Sequence, residues 1–443
     1  MNIVLLSGGS GKRLWPLSND IRSKQFIKLF RREDGSYESM VQRVYRQIRQ
    51  VDREATVTIA TSRTQVSAIH NQLGTEVGIS IEPCRRDTFP AIALACAYLH
   101  DVRGLDLQEA AVICPVDPYV DSDYFEALGR LGCLAETGEA NLALMGIRPT
   151  YPSEKYGYII PEDDREISLV RTFKEKPDLE TAKTYMELGA LWNGGVFACR
   201  IGYILDRAYE QTGLRDYHDL FARYETLKKI SFDYAVVERE PKIQVMRFDG
   251  GWKDLGTWNT LTEEMSEPVI GQGIRDESCE NVSIINELNI PVLCMGLKNV
   301  IVSAGPDGIL VSDREKSSYI KPYVDEIRQQ VMFAEKSWGS FTILDLEERS
   351  LTIRVTLNPG HSMNYHSHDH RDEVWTVVSG SGTAVIDGER RPVAPGDILR
   401  MPAGCRHMIT ADTELKLIEV QMGHEISVHD KHKYPLPEAS QIG

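Results

Sequence analysis

From its first residues the chain alternates short apolar runs with stretches whose apolar positions recur at helical spacing. Residues 2–7 read as a buried strand that leads straight into a glycine-rich turn. Residues 39–49 predict a helix, 55–60 a strand and 63–73 a helix. Residues 88–100 predict a further helix, with Thr88 placed to cap it and Pro90 in its first turn. Residues 110–114 predict a strand ending in Pro115-Val116-Asp117, 123–137 a helix and 142–147 a strand. This alternation predicts an α/β domain with a mostly parallel sheet covered by helices. Such sheets take ligands beyond the carboxyl ends of their strands.

From about Ser266 the pattern changes. Short β-like runs at 282–285, 291–294, 299–303 and 309–311 are separated by turn residues, which predicts a small β-rich connector, a coil of short rungs. Residues 312–330 form a charged linker with some helical spacing. After Glu335 the chain reads as all-β, with close turns at Asn358-Pro359-Gly360, Asp387-Gly388, Pro395-Gly396 and Pro402-Ala403-Gly404. That suits a small double-sheet barrel or jelly roll. The expected domains are 1–265, 266–330 and 331–435, with 435–443 frayed.

Composition narrows the classes. The 443 residues are 42% hydrophobic and 26% charged, ordinary for a soluble chain with two or three cores. A formal net charge of −15 without any basic run argues against a protein that tracks nucleic-acid phosphates. The eight cysteines are scattered with no CxxC pair, which reads as reduced thiols in a cytoplasmic protein. No basic leader precedes the first strand and no apolar stretch is long enough to span a bilayer, so no membrane partner is expected.

Candidate chemistry begins at Gly8-Gly9-Ser10-Gly11-Lys12-Arg13, directly after Ser7 and the first strand. Glycines let backbone N–H groups approach phosphate oxygens that side chains would block, and Arg13 adds charge. The run is neither a Walker loop nor GxGxxG. Leu14-Trp15-Pro16-Leu17-Ser18 and Lys24-Gln25-Phe26 follow. Further along come Glu82-Pro83, Arg86-Asp87-Thr88-Phe89-Pro90-Ala91-Ile92-Ala93, Pro115-Val116-Asp117 and Phe173-Lys174-Glu175-Lys176-Pro177. Trp192-Asn193-Gly194-Gly195, Asp233-Tyr234-Ala235-Val236 and Trp252-Lys253-Asp254-Leu255-Gly256-Thr257-Trp258 complete the series.

In that order the blocks resemble the mannose-1-phosphate guanylyltransferases, within the wider sugar-nucleotide pyrophosphorylases. The resemblance implies a Rossmann-like nucleotidyltransferase domain that joins a sugar 1-phosphate, mannose 1-phosphate first, to a nucleoside triphosphate, GTP first, releasing pyrophosphate. Holding anionic substrates together is the main burden of that reaction. The resemblance implies Arg13 and Lys24 for the triphosphate, and Ser7, Gly8, Gly9, Ser10, Gly11, Lys12, Glu82, Arg86, Thr88 and Pro90 for the nucleotide. It implies Asp117 and Asp254 for Mg²⁺, which suits hard carboxylate oxygens. Lys176 would hold the sugar phosphate, with Gly157, Tyr158, Glu175, Asn193 and Asp233 around the hexose. This chain departs from the pattern at Lys12 (usually Thr), Ser23 (usually Pro), Asp87 (usually Asn) and Pro118 (usually His). Asp87 bears most on nucleotide or sugar preference, because an ionised carboxylate only accepts hydrogen bonds.

His366-Ser367-His368-Asp369-His370-Arg371-Asp372-Glu373 is the densest ligand cluster. On a strand the three histidines share a face, and the first two converge with Glu373 if a bend intervenes. With His407 they make a candidate site for Zn²⁺, Fe²⁺, Mn²⁺ or Ni²⁺. Gly360, His366, His368, Glu373 and Gly380, then Gly396, Pro402, Gly404 and His407, resemble the two cupin motifs. Behind such an N-terminal half, Trp338-Gly339, Glu373-Val374-Trp375, Ser379-Gly380 and Ile418-Glu419-Val420-Gln421-Met422-Gly423 resemble bifunctional enzymes that also interconvert mannose 6-phosphate and fructose 6-phosphate. An ungapped match to their motif puts His366 at a Gln and Val374 at a His, and makes His368, His370, Arg371 and Glu373 the equivalents. Two other readings stay open: the same reaction on another sugar or nucleotide with a non-isomerase cupin, and a non-catalytic sugar-nucleotide sensor. The resemblance also implies a homodimer acting on small molecules.

Overall fold

The computed structural model describes residues 1–8, 12–19, 21–424, 426–427 and 429–436. Gly9, Ser10 and Gly11, expected in the phosphate turn, lie outside the described residues. The chain forms two compact units: Met1–Ser10, Gln25–Val66 and Leu73–Ser266 in one, and Gly11–Lys24, Ser67–Gln72 and Glu267–Gly443 in the other.

The first unit is built on a nine-stranded sheet. Gly78–Glu82, Thr56–Ser62, Asn2–Leu6 and Ala110–Pro115 lie side by side and parallel. Leu191–Arg200 comes next, then Leu142–Ile147, Ile243–Phe248, Ile167–Lys174 and Gly157–Pro161. Only Leu191–Arg200 and Ile167–Lys174 run against the rest. Ala110–Pro115 and Leu142–Ile147 are continuous apolar runs because both faces are covered: all of Leu142–Ile147 is buried. Helix Met40–Val51 starts on a capping box in which Ser39 and Gln42 satisfy each other's backbone N–H. Helix Thr88–Ala97 is apolar all round and buried from Phe89 onward, as a helix inside a layer must be.

Its cap differs from expectation. Asp87, at φ 70°, is the capping residue and accepts from Thr88 N, while the Thr88 hydroxyl accepts from Phe232 N at 2.8 Å. An aspartate precedes the threonine, and its carboxylate takes the terminal N–H first. The strands of the second half of the sheet carry weaker sequence signals. Ile167–Lys174 has half of its positions exposed, and Leu191–Arg200 is interrupted at Asn193-Gly194-Gly195, where its register with Leu142–Ile147 shifts.

The second unit holds a coil and a barrel. Val269–Gly271, Ser283–Asn286 and Val300–Gly305 stack in parallel, with Gly308–Asp313 added antiparallel at the edge. Val282, Ile284, Cys294 and Val302 fill the coil. The charged linker forms a short turn, Lys316–Tyr319, and a helix, Lys321–Glu326. The barrel is a six-stranded sheet facing a five-stranded one over Trp375, Leu357, Leu399, Ile409, Leu415 and Leu417. Its Asp387-Gly388 turn has positive φ at both residues, the geometry that twists a two-residue hairpin correctly. This is the jelly roll the turn spacing predicts.

Candidate active site and metal centre

Two cavities adjoin at the carboxyl ends of the parallel strands in the first unit. One, of about 440 Å³, is lined by Ser7, Gly8, Gln65, Glu82, Arg85, Asp87, Thr88 and Lys229, with Pro115, Asp117, Gly195 and Asp233 on one side. The other, of about 270 Å³, shares those last four residues and adds Tyr156, Gly157, Glu175, Asn193, Trp252 and Asp254. The structure therefore gathers Ser7, Gly8, Glu82 and Thr88 in one chamber and Gly157, Glu175, Asn193 and Asp254 in the next, with Asp117 and Asp233 on the shared wall.

A buried polar knot sets the floor of the first chamber. Gln25 Nε2 donates to Ser7 Oγ at 2.9 Å, and Gln65 Oε1 accepts from Ser7 Oγ at 3.3 Å and from Thr61 Oγ1 at 2.8 Å. Glu82 accepts from the Tyr224 hydroxyl at 2.9 Å, and burial pushes its carboxyl up. Arg86 turns away to the Glu225 carbonyl, and Arg85 lines the chamber instead. Pro90 is buried in the first turn of its helix, outside the lining. Arg85, Gln65 and Lys229 had no distinguishing sequence signal. Each is an ordinary polar residue until the fold turns it inward.

In the second chamber, ribbon Trp252–Asp254 pairs with Pro118–Val120 and sets Asp254 opposite Pro118, the neighbour of Asp117. The Tyr156 phenol is pushed up by burial first and then by Asp254, with Asp117 adding to it, so both carboxylates bear on one hydroxyl. Asn193 donates to Asp233 Oδ1 at 2.7 Å and accepts from Gly195 N at 3.1 Å. A Cβ at Gly157 would lie 2.5 Å from Glu175 Oε2, so only glycine leaves room for that carboxylate. Lys176 is outside the lining but its Nζ pairs with Glu175 Oε1 at 2.7 Å. Tyr158 is fully buried, and its hydroxyl accepts from Ser153 N at 2.9 Å, a packing role away from the cavity. Arg13 is exposed on the Lys12–Leu14 turn and Lys24 opens the Lys24–Phe26 turn, both in the segment that clusters with the second unit.

Asp233 supplies a check on this electrostatic picture. Burial first, then the charge of Glu175, pushes its carboxyl up to about 6 against the Asn193 hydrogen bond. Folding thus raises this pKa. The protonated group favours the folded state below about pH 4, and that contribution is lost as pH rises through about 6. Asp233→Asn is expected to be more stable relative to wild type at pH 8 than at pH 4, read by thermal melting without divalent cations. An unchanged difference between the two pH values contradicts the burial of this charge.

The barrel of the second unit holds a separate centre. His366, His368, Glu373 and His407 are all buried, and one ligand atom from each lies within 4.8 Å of every other. His407 sits opposite His366 across paired strands. The chain bends at Asp369-His370 between strands His366–Ser367 and Arg371–Ser379, which leaves His370 exposed. Each ligand imidazole has its Nδ1 against a carbonyl: His366 on Asn364 at 2.6 Å, His407 on Cys405 at 3.0 Å, and His368 on Asp430. With Nδ1 so occupied, Nε2 of His368 and of His407 faces the Glu373 carboxylate at 3.0 and 3.2 Å, the arrangement that orients metal-ligating histidines. His407 Nε2 and Glu373 Oε2 are buried 3.2 Å apart with no hydrogen-bond partner of good geometry. Two such acceptors fit a cation between them. Burial would push the Glu373 carboxyl up, but the neighbouring His368 and His407 outweigh it and hold the group well below the usual range. The residues fit a divalent ion.

Around this centre lie residues whose roles the motifs left open. Arg371 Nε donates to Glu373 Oε1 at 3.1 Å and its Nη2 lies 3.1 Å from His368 Nε2. Glu419 and Gln421 face inward from the adjoining strand, and burial first, then Glu373, pushes Glu419 up to about 8.

The nucleotidyl transferase family model matches residues 2–268 and the cupin model residues 353–421. The first match covers more than half of the chain, which is therefore a nucleotidyltransferase fused to a cupin. More narrowly, the chain belongs to the mannose-1-phosphate guanylyltransferase family. It is 31% identical to the mannose-1-phosphate guanylyltransferase of Escherichia coli (strain K12) over 96% of each chain. It is 30% identical to the xanthan biosynthesis protein XanB of Xanthomonas campestris pv. campestris (strain B100), again over 96% of each. Among solved structures it is similar to the Thermus thermophilus protein named mannose-1-phosphate geranyltransferase, with 26% identity and a TM-score of 0.62, covering 73% of this chain and 98% of that one. Among the described residues no helix is long and apolar enough to cross a membrane.

Proposed function

We propose that the chain transfers GMP from GTP to mannose 1-phosphate, giving GDP-mannose and pyrophosphate. The observation that carries the reading is the shared wall: a nucleotide-sized chamber and a sugar-sized chamber meet at Asp117, with Asp254 close by. The names of the relatives supply the substrates. A phosphate oxygen of mannose 1-phosphate attacks the α-phosphorus, the bond to the β-phosphate bridging oxygen breaks, and pyrophosphate leaves. The nucleophile is already an anion, so no base is required. Mg²⁺ held by Asp117 and Asp254 would neutralise charge on the reacting phosphates. The acidic residues Glu175 and Asp233 accept from hexose hydroxyls, and Asn193 fixes Asp233 and Gly195 in place. Lys176 holds the sugar phosphate, while Arg13 and Lys24 serve the triphosphate.

Pyrophosphate release with mannose 1-phosphate and each of GTP, CTP, UTP, ATP and dTTP tests this. Turnover with GTP alone is expected. Turnover with another nucleotide moves the reading to that substrate, and no turnover with any leaves a sugar-nucleotide sensor. Lys176→Ala is expected to raise the KM for sugar phosphate roughly 10- to 100-fold, the range of a charge-assisted hydrogen bond of about 1.5–3 kcal/mol. The KM for nucleotide should stay within about twofold. Equal effects on both contradict the role given to Lys176.

For the barrel, the same reading places a divalent ion, Zn²⁺, Fe²⁺, Mn²⁺ or Ni²⁺, on His366, His368, Glu373 and His407. A second activity, interconversion of mannose 6-phosphate and fructose 6-phosphate, is favoured by Glu419. Moving a proton between neighbouring carbons needs a carboxyl or similar group at the site, and Glu419 is buried on the strand that pairs with that of Glu373. The ion would polarise the sugar carbonyl. The full reading is of a cytoplasmic homodimer working on small molecules, which sedimentation of the purified chain checks.

A further inference from the structure

The second chamber of the first unit is short of positive charge. Carboxylates from Asp117, Glu175, Asp233 and Asp254 line it, and among its described lining residues Lys155 is the one cation. A sugar phosphate that enters such a chamber meets like charge unless cations offset it. Mg²⁺ would serve the side of Asp117 and Asp254. Lys176 stands outside the lining, and its Nζ lies 2.7 Å from Glu175 Oε1, so much of its charge is already neutralised. Lys155 is exposed where it joins the lining, and among the described residues it has no ion-pair partner.

The backbone that carries Lys155 is held from both sides. Ser153 is buried, and its N–H donates to the Tyr158 hydroxyl at 2.9 Å. The Ser153 Oγ accepts in turn from Lys155 N at 3.1 Å. On the other side, the Tyr156 ring centre lies 4.8 Å from that of Trp192 and 5.6 Å from that of Trp252. Gly157 then opens strand Gly157–Pro161, which pairs with Leu191–Arg200 on one side and Ile167–Lys174 on the other. Buried Tyr158 thus anchors, through Ser153, the turn that presents Lys155. The hydroxyl of neighbouring Tyr156 feels the charges of Asp254 and Asp117, so this turn stands beside both carboxylates. A lysine ammonium on its flexible stem carries three donors and can follow a phosphate through several positions.

We propose that Lys155 is a direct ligand of the phosphate group of the sugar substrate. The carboxylates of the chamber accept from hexose hydroxyls and repel a phosphate. The Lys155 ammonium offsets that repulsion from a turn fixed before the substrate arrives, and Lys176 adds to it from behind Glu175. This deepens the reading of the chamber as the mannose 1-phosphate site, and rests on it.

Pyrophosphate release by the full chain tests it, with mannose 1-phosphate varied at saturating GTP and then the reverse, in wild type, Lys155→Gln and Lys155→Arg. Lys155→Gln is expected to raise the KM for mannose 1-phosphate roughly tenfold, the lower end for a charge-assisted hydrogen bond, because the ammonium is exposed. The KM for GTP should stay within about twofold. Lys155→Arg, which keeps the charge, should recover most of the loss. Added KCl should raise the KM for mannose 1-phosphate more steeply in wild type than in Lys155→Gln, since screening acts on the charge that the variant lacks. A merely structural role for Lys155 would leave the two salt dependences alike. The melting temperature should not change. An unchanged KM for mannose 1-phosphate in Lys155→Gln, an equal rise for both substrates, or matching salt dependences overturns the assignment and leaves the functional reading standing. A wild-type chain that turns over mannose 1-phosphate with none of GTP, CTP, UTP, ATP or dTTP defeats the functional reading, and this inference with it.

Discussion

Asp254→Asn is expected to lower kcat/KM for nucleotidyl transfer roughly a thousandfold, the few kcal/mol that cation-assisted charge neutralisation supplies. The amide keeps the shape of the side chain and removes the charge. Asp254 lies on a short ribbon, paired with Pro118, so the loss should come with an unchanged melting temperature. Asp117→Asn should behave the same way, and the double variant should lose little more than either alone, because groups serving one ion act as a unit. Full additivity of the two losses, or wild-type activity in either variant, contradicts a shared cation on that wall.

His366→Ala carries the second large effect. Metal content of the purified chain should fall from about one divalent ion to well below one, since losing a ligand costs more than the roughly 10- to 100-fold that follows loss of an outer hydrogen-bond partner. Nucleotidyl transfer should be unaffected. Burial first, then Lys431 and His407, drives the His366 pKa down to about 2, so the imidazole stays an unprotonated donor across the working pH range. Retained metal in His366→Ala removes it from the ligand set. Collapse of nucleotidyl transfer in a folded variant means that the barrel centre acts on the transfer reaction.

Much of this was legible in the sequence, for different physical reasons at different places. The strands at 2–6, 110–115 and 142–147 are buried on both faces and announce themselves as apolar runs. The histidine cluster was legible because chelating side chains at a two-residue spacing share a strand face, and the bend that sets His370 aside had to come from the fold. Ile167–Lys174 was not legible, because apolar and polar residues are mixed along it and only Ser168 is buried, so its place is fixed by its neighbours. Arg85 in place of Arg86 was not legible either. Both precede the same helix, and only the bond from Arg86 to Glu225, far away in sequence, decides which one faces the cavity. Tyr158 looked like a hexose contact next to Gly157, yet strand alternation turns neighbours to opposite faces and sends it into the core. The splicing of residues 11–24 into the C-terminal unit left no local trace, because Asn19 and Arg22 find their partners nearly the length of a domain later.

The central claim is that two anionic substrates meet on the wall carrying Asp117, with Asp254 supplying the second carboxylate to one cation. Anomalous scattering from Mn²⁺, in crystals of the chain with GTP and mannose 1-phosphate, reads that directly. The expected result is an ion bridging the two carboxylates at roughly 2.1 Å, in contact with the phosphates. An ion bound to the phosphates with both carboxylates turned away, or none outside the barrel, contradicts the account.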